Sequence, residues 1–261
     1  MQALTRPYGV LHYRLNGPAD APVVVMANSL GTDLRLWDAV VPLLPAGLRY
    51  LRYDKQGHGL SDLGRGERLQ DHVDDVVALI EQVVRGPVVM VGLSIGGLIA
   101  QRLASTRPDL VRALVLSNTA ARLGTPAGWQ DRIAAVQAGG TDAIADAVME
   151  RWFAAPFRAT PERALWRAML ARTGTPGYVA ACRALAGADQ TQATAALRLS
   201  ALVVAGGADG ASPPDLVQAT ARLIPGAAFH LIPDAGHLPC VETPAAHAAI
   251  LAPFIERHAH D

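Results

Sequence analysis

Residues 87–106 of this 261-residue sequence read PVVMVGLSIGGLIAQRLAST. The apolar, valine-rich run at residues 88–93 predicts a buried central strand, and the apolar residues after Gly97 recur at helical spacing. Ser94 stands in the turn between them, within the pattern Gly-x-Ser-x-Gly. Such a glycine-flanked turn projects the serine hydroxyl from the carboxyl end of a sheet. The segment predicts a nucleophilic serine or, as the simpler alternative, a serine that caps an ordinary helix.

Composition and charge describe a chain that can bury a large core. Hydrophobic residues make up 51% of the sequence, and 23 basic side chains balance 23 acidic ones. This balance indicates neither a nucleic acid nor a membrane surface as partner. No run approaches the roughly 20 apolar residues that span a bilayer, and the start lacks the apolar stretch of a signal peptide. We expect a soluble, cytoplasmic protein.

Strands and helices alternate along most of the sequence, which indicates an α/β fold with a mostly parallel central sheet flanked by helices. Apolar runs predict strands at residues 10–15, 22–26, 49–53, 88–93, 113–116, 201–205 and 228–232, the first of them an edge strand. A helix is predicted around residues 34–41.

The pattern changes between residue 119 and about residue 196, where no β-rich run occurs. Helical segments are predicted there at residues 127–137, 141–152, 161–172 and 176–186. We predict that residues 1–119 and 197–261 form the core and that residues 120–196 form an inserted helical lid. The lid would cover the carboxyl ends of the strands, where open parallel sheets bind ligands.

Two further candidates follow predicted strands at this same edge of the sheet. Asp209 comes after the strand at residues 201–205, and His237 comes after the last strand. A serine hydroxyl is a weak nucleophile that needs a base, and the base needs an orienting acid. The chain order Ser94, Asp209, His237 therefore predicts a catalytic triad. The alternatives are a turn aspartate and a solvated loop histidine, and Asp234 is the nearest alternative acid.

An ester carbonyl becomes an oxyanion when a serine attacks it, and two backbone N–H groups should meet that charge. Ile95, at the predicted helix start, supplies one of them. The other is predicted in the loop after the strand at residues 22–26, with Leu30 as the candidate and Ser29 as the alternative. The Ser29 hydroxyl would also lie near the substrate carbonyl.

With these residues in view, the sequence resembles the 3-oxoadipate enol-lactonase branch of the α/β-hydrolases over nearly its whole length. The Gly-x-Ser-x-Gly pattern is common to many hydrolases, whereas the other shared motifs are more specific. They are residues 28–33 (NSLGTD), 37–38 (WD), 51–54 (LRYD), 57–59 (GHG), 116–121 (LSNTAA), 151–153 (RWF) and 177–178 (GY), with Cys182. One departure is Gln56, where this family usually has arginine.

The resemblance implies a small anionic enol-lactone as substrate, hydrolysed to 3-oxoadipate in the β-ketoadipate pathway of aromatic catabolism, without a metal or cofactor. It also places Arg151 and Trp152 of the lid at the substrate. Since adjacent helical residues point in different directions, we expect only one of the two to face the pocket. Trp152 is favoured there, and the alternative role for Arg151 is to brace the lid. If the family's arginine binds the substrate carboxylate, Gln56 weakens affinity; if it anchors a turn, activity survives.

Other functions stay open. The same triad suits a general carboxylesterase, or a cofactor-free C–C bond hydrolase or perhydrolase, since these differ mainly in lid and pocket lining. A non-catalytic receptor for a small ligand also fits this fold. A haloalkane dehalogenase is disfavoured, because its nucleophile would be an aspartate in place of Ser94. The two cysteines, Cys182 and Cys240, lack metal-ligand spacing and predict neither a disulfide framework nor a zinc site.

Overall fold

The computed structural model describes residues 1–260. Over that range, eight strands form one sheet in the order β1-β2-β4-β3-β5-β6-β7-β8. The strands are β1 (Gln2–Arg6), β2 (Gly9–Asn16), β3 (Val23–Ala27), β4 (Arg49–Tyr53), β5 (Val88–Leu93), β6 (Val111–Ser117), β7 (Ser200–Gly206) and β8 (Ala228–Ile232). β2 is antiparallel to β1 and to β4. The pairs from β4 through β8 are parallel, which confirms the predicted sheet.

The prediction that residues 10–15 form an edge strand was wrong. These residues belong to β2, which pairs with β4 on one side and with β1 on the other. The edge is β1, whose residues are mostly exposed. Because Leu4 is the one apolar side chain of β1 that packs, partly buried, against the core, the strand carries no alternation by which it could be predicted.

Helices flank the sheet, beginning with α1 (Leu69–Leu79) and α2 (Ile95–Thr106). Those between β6 and β7 are α3 (Pro126–Gly139), α4 (Asp142–Trp152), α5 (Ala155–Arg158), α6 (Arg163–Ala171), α7 (Thr175–Ala186) and α8 (Thr191–Ala195). The last helices are α9 (Pro214–Leu223), α10 (Pro239–Glu242) and α11 (Pro244–His258). The short α5 and α8 were not predicted. The division into core and lid domains stays a prediction.

The segment that was predicted as one helix around residues 34–41 instead forms two short 3₁₀ helices, Leu34–Trp37 and Val41–Leu43. Asp33 caps the first of them, since its side chain accepts a hydrogen bond from the Arg35 N–H. Among residues 1–260, no helix combines the length and the apolar character needed to cross a membrane.

The centre of the sheet is buried along its whole length. Every residue of β3 and β5 is buried, and fully burying one valine side chain contributes about 1.5–3 kcal/mol. This packing fixes the strand ends in space. Because β3 to β8 are parallel, the loops that follow β3, β5, β7 and β8 open at one edge of the sheet, where the predicted site residues lie.

Candidate active site

Ser94 lies in the turn between β5 and α2, in a backbone conformation that few residues other than glycine adopt. Its φ is 58° and its ψ is −122°, and such strain persists only where the surroundings enforce it. The Thr119 hydroxyl donates to the Ser94 carbonyl at 2.7 Å. A Cβ on Gly92 would collide with Gly96, and one on Gly96 would collide with Ala27. The glycines therefore allow the tight turn that presents the Ser94 hydroxyl.

Asp209 and His237 lie in the loops after β7 and β8, and their buried side chains are hydrogen-bonded to each other. His237 Nδ1 is 2.9 Å from Asp209 Oδ2. The same carboxylate oxygen accepts hydrogen bonds from Ser212 Oγ at 2.6 Å and from Asn118 Nδ2 at 3.0 Å. On the other side of the ring, His237 Nε2 lies 3.4 Å from Ser29 Oγ. Ser212 Oγ also lies 3.3 Å from His237 Nδ1, so the imidazole is held by Asp209 and Ser212 on one side and by Ser29 on the other.

The Asp209 carboxylate is stabilised in its charged form. Burial disfavours the charge, but the charge of His237 and hydrogen bonds from His237, Ser212 and Asn118 outweigh burial and hold the pKa of Asp209 below its ordinary value. The backbone N–H groups of Ala211 and Ser212 also donate to Oδ1, at 2.7 and 2.9 Å. A charged partner at Nδ1 favours the tautomer whose Nε2 is free to accept a proton.

The two N–H groups predicted for the oxyanion are available as donors. Ile95 is the first residue of α2, so its N–H has no partner within the helix. The Leu30 N–H lies in the loop after β3 and donates to no acceptor within residues 1–260. Leu30, Ser94 and His237 line the same cavity, which places one predicted donor, the nucleophile and the base around a common space.

That cavity has a volume of about 330 Å³, and helices α3, α4 and α7 contribute much of its wall. The volume is in the range of small-molecule sites. A larger cleft of about 1060 Å³ lies beside β2 and α6, and none of Ser94, Asp209 and His237 lines it. Among residues 1–260, no group of three or more His, Cys, Asp or Glu side chains is placed to hold a metal ion.

Two arginines line the cavity, Arg132 of α3 and Arg151 of α4. Within residues 1–260, neither of them forms an ion pair with a carboxylate. Burial and, after it, the charge of Arg132 lower the pKa of Arg151. Arg132 Nη1 is 3.4 Å from Tyr178 Oη, and Arg151 Nε donates to the Gly210 carbonyl at 3.0 Å. The cavity is therefore suited to an anion.

Comparison with known proteins identifies the family. The model of the alpha/beta hydrolase family matches residues 18–250. The chain belongs to this family. One relative, 3-oxoadipate enol-lactonase 1 of Acinetobacter baylyi, is 32% identical over 248 residues, which cover 94% of this chain and 93% of that protein.

Solved structures of other hydrolases resemble this one closely. The enol-lactonase of Burkholderia xenovorans LB400 matches with a TM-score of 0.94 and 33% identity, over 98% of this chain and 100% of that chain. A thermophilic esterase of Thermogutta terrifontis, with malate bound, matches with a TM-score of 0.91 and 29% identity over 100% of both chains. The predicted α/β-hydrolase fold and the resemblance to enol-lactonases are confirmed.

The structure brings the predicted site residues of this hydrolase together, while their roles stay predictions. Trp152 is buried at 5% exposure, and its carbonyl accepts the His237 N–H at 2.7 Å. Asp209 lies behind His237, and Ile95 follows Ser94. The predicted residues that line the cavity are Ser29, Leu30, Ser94, Arg151, Trp152 and His237.

Other residues of the site had no predicted role. Ser212 follows Asp209 by three residues, and a serine in a glycine-containing turn after a candidate acid is a signal that could have revealed it. Arg132 gave no such signal, because α3 has nearly the same polarity all round and does not reveal which side faces the cavity. In the sequence, Asn118 and Tyr178 stand out only as parts of the shared motifs.

Gln56 does not line the cavity. Its Nε2 donates to Asp75 Oδ2 on α1 at 2.9 Å. The same Asp75 carboxylate accepts from Arg6 Nε and from the Tyr8 hydroxyl, at 2.9 and 2.8 Å. Gln56 therefore connects its turn to α1, as an anchoring residue would, and its effect on activity stays a prediction.

Glu242 of α10 connects the end of α4 to the loop that carries His237. Its Oε1 accepts the N–H of Gly236 and its Oε2 accepts the N–H of Ala154, each at 2.8 Å. Burial raises the pKa of Glu242 to about 7, in spite of these backbone hydrogen bonds. The contact between the two segments therefore contains a group that titrates near neutral pH.

We expect the wild type to lose stability relative to Glu242→Gln as the pH rises. The raised pKa means that the fold favours the neutral carboxyl, so its stabilisation is complete below the ordinary value of 4.5 and is lost as the pH passes through about 7. Thermal unfolding of both proteins across this range measures the change. A difference in Tm that does not vary with pH would contradict the expectation.

Proposed function

We propose that this hydrolase opens the lactone ring of 3-oxoadipate enol-lactone to give 3-oxoadipate. The observation that carries the proposal is the small cavity in which Ser94 and His237 face two arginines without carboxylate partners. A neutral ester has no use for an unpaired cation in the cavity wall, whereas an anionic lactone does. Relatives that are named enol-lactonases, at 32% and 33% identity, support the same substrate.

In the proposed reaction, Ser94 Oγ attacks the lactone carbonyl while His237 Nε2 takes its proton, with Asp209 orienting the imidazole. The N–H groups of Leu30 and Ile95 stabilise the oxyanion. Breaking the ring C–O bond releases an enolate that stays tethered to the acyl chain. The proton that His237 took from Ser94 passes to the enolate carbon, which gives the ketone, prevents the ring from closing again and leaves His237 neutral. Water activated by His237 then frees 3-oxoadipate, without a metal or cofactor.

We assign the substrate carboxylate to Arg132. Its side chain is half-buried in the cavity wall and has only the Tyr178 hydroxyl as a partner there, which leaves donors for a bidentate contact. Arg151 is more exposed and is bonded to Gly210, next to Asp209, so it braces α4 against that loop. The indoles of Trp129 and Trp152 also line the cavity and would cover the flat ring. The malate in the Thermogutta terrifontis esterase supports a carboxylate ligand for this fold.

We expect Arg132→Met to lower kcat/KM for the enol-lactone by about 10–100-fold, because a charge-assisted hydrogen bond contributes about 1.5–3 kcal/mol. Hydrolysis of the neutral ester p-nitrophenyl acetate should stay within about threefold of wild type. Arg151→Met is the matched control, and we expect it to affect both substrates equally. Steady-state kinetics with both substrates tests this, and an equal loss on both substrates in Arg132→Met would contradict the assignment.

The proposed function is tested by turnover of the enol-lactone, generated in situ, with purified protein and detection of 3-oxoadipate. We expect a higher kcat/KM for the lactone than for p-nitrophenyl acetate. The opposite preference would indicate a general carboxylesterase. Failure to hydrolyse any ester or lactone would favour a receptor built on this fold.

A further inference from the structure

Lys55 is the only lysine of the sequence, and the other residues of the Lys+Arg total of 23 are all arginine. It lies just after β4, and its side chain is 1% exposed. Its Nζ donates to the Ser29 carbonyl at 2.7 Å and is 3.5 Å from the Thr32 carbonyl. Within residues 1–260, it forms no ion pair. A buried ammonium without a bound carboxylate is costly, so this lysine calls for a reason.

The cost is visible in the acid–base behaviour of Lys55. Burial lowers the pKa of its amine to about 7, against the attraction of the more distant charges of Asp54 and Asp33. The Asp54 carboxylate is occupied elsewhere, by the N–H groups of Leu34 and Leu60. The ammonium is therefore directed at carbonyl oxygens and not at an acid.

The carbonyl that Lys55 binds belongs to the peptide between Ser29 and Leu30, whose N–H is the predicted oxyanion donor. A trans peptide is planar, and its C=O and N–H point in opposite directions. The Ser29 oxygen also accepts from Thr32, from Oγ1 at 2.9 Å and from the backbone N–H at 3.3 Å. With its oxygen held by these donors, the peptide keeps the Leu30 N–H free and oriented away from them.

Lys55 differs from the Thr32 donors because its amine carries charge when it is protonated, at pH values below about 7. A cation at a peptide oxygen draws electron density through the amide resonance, which makes the N–H of the same peptide a stronger donor. Hydrogen bonds from charged donors are also about twice as strong as neutral ones. Lysine is a compact point charge, whereas arginine presents a broad fork that needs several acceptors. This explains a lysine at a position that offers little besides one carbonyl.

We propose that Lys55 is a positioning residue of the oxyanion hole, which fixes and polarises the Ser29–Leu30 peptide so that the Leu30 N–H stabilises the negative charge on the substrate carbonyl. Lys55 does not line the cavity, so it acts through this peptide alone. The inference rests on the serine-hydrolase part of the proposed function and does not depend on the enol-lactone as substrate.

The test compares Lys55→Met, Lys55→Gln and Thr32→Val with the wild type, using p-nitrophenyl acetate and the inhibitor phenylboronic acid. The boronic acid accepts the serine oxygen and places a charged tetrahedral group in the oxyanion hole. Removing one direct oxyanion donor costs about 10²–10³-fold in kcat. Because Lys55 acts through such a donor, we expect Lys55→Met to lower kcat by about 10–100-fold and to weaken the boronate equally, with KM within about threefold.

The two other variants separate charge from hydrogen bonding. Thr32→Val removes a neutral donor to the same oxygen, and we expect a loss below about threefold. Lys55→Gln keeps a neutral donor, so we expect its loss in kcat to lie between those of Thr32→Val and Lys55→Met. We expect Lys55→Met to melt no lower than the wild type, since it removes an unpaired buried charge. If Lys55→Met fails to fold, Lys55→Gln decides the question. A fall in kcat matched by an equal fall in boronate affinity supports the proposal, and a fall in only one of them contradicts it.

Three results would overturn the proposal: an unchanged kcat and boronate affinity in Lys55→Met, a loss confined to KM, or equal losses in Lys55→Met and Thr32→Val. Failure of the wild type to open the enol-lactone, with ester hydrolysis retained, would contradict the proposed substrate alone. The comparison of the Lys55 variants would still stand in that case, because it uses only the neutral ester and the boronic acid.

Discussion

Replacing Ser94 by alanine is expected to abolish nearly all hydrolysis, with kcat/KM reduced by about 10⁴–10⁶-fold on the scale of triad knockouts. The mutation removes the oxygen that forms the acyl-enzyme, while the surrounding turn is fixed by Thr119 and by the flanking glycines. Thermal melting should therefore stay close to that of the wild type. Steady-state kinetics with p-nitrophenyl acetate and with the enol-lactone measure the loss.

Ser29 provides a matched control, because its hydroxyl also lies in the cavity and is 3.4 Å from His237 Nε2. It does not stand at the start of a helix or in a positive-φ turn, so nothing aligns it with both oxyanion donors. We expect Ser29→Ala to reduce kcat/KM by less than about tenfold, the size of a single modest hydrogen bond. A variant Ser94→Ala with nearly wild-type turnover, or a larger loss in Ser29→Ala, would show that Ser94 is not the nucleophile.

The centre of the site could be predicted from sequence because local signals and sheet geometry agree there. The valine run and glycine turn at residues 88–97 predict β5, the turn and the start of α2, and all three lie where expected. Asp209 and His237 each follow a short apolar strand. Since parallel strands end at one edge, three loops far apart in sequence were predicted to meet without any knowledge of the strand order.

The remainder depends on contacts between distant segments, which a sequence pattern does not encode. β1 is exposed and short, so only its pairing with β2 defines it. Arg132 enters the cavity because of the way α3 packs on α7, and its own helix carries no clear apolar stripe. Lys55 binds a carbonyl 26 residues earlier in the chain. Its neighbours in sequence indicated only a glycine-rich turn.

The acid and the base are expected to be nearly as sensitive as the nucleophile. Asp209→Asn should lower kcat by about 10⁴-fold, because an amide in place of the carboxylate favours the wrong histidine tautomer. The geometry here adds a further reason. Oδ2 accepts from His237, Ser212 and Asn118, and Oδ1 accepts from two backbone N–H groups. Whichever way the new amide is oriented, its NH₂ group faces at least two donors.

His237→Ala should be impaired to a similar degree, and combining either change with Ser94→Ala should add little, because the members of a triad act as a unit.

Asp234 is the matched control, since it is an exposed acid in the same loop as His237. We expect Asp234→Asn to stay within about twofold of wild type, as surface substitutions do. The measurement is kcat/KM for the single and double variants with one ester. Losses that multiply in the double variants would place Asp209 or His237 in a role separate from Ser94, and a severe loss in Asp234→Asn would move the orienting acid to that residue. Five hydrogen bonds converge on Asp209, whereas Asp234 is exposed, and this difference favours Asp209 as the orienting acid.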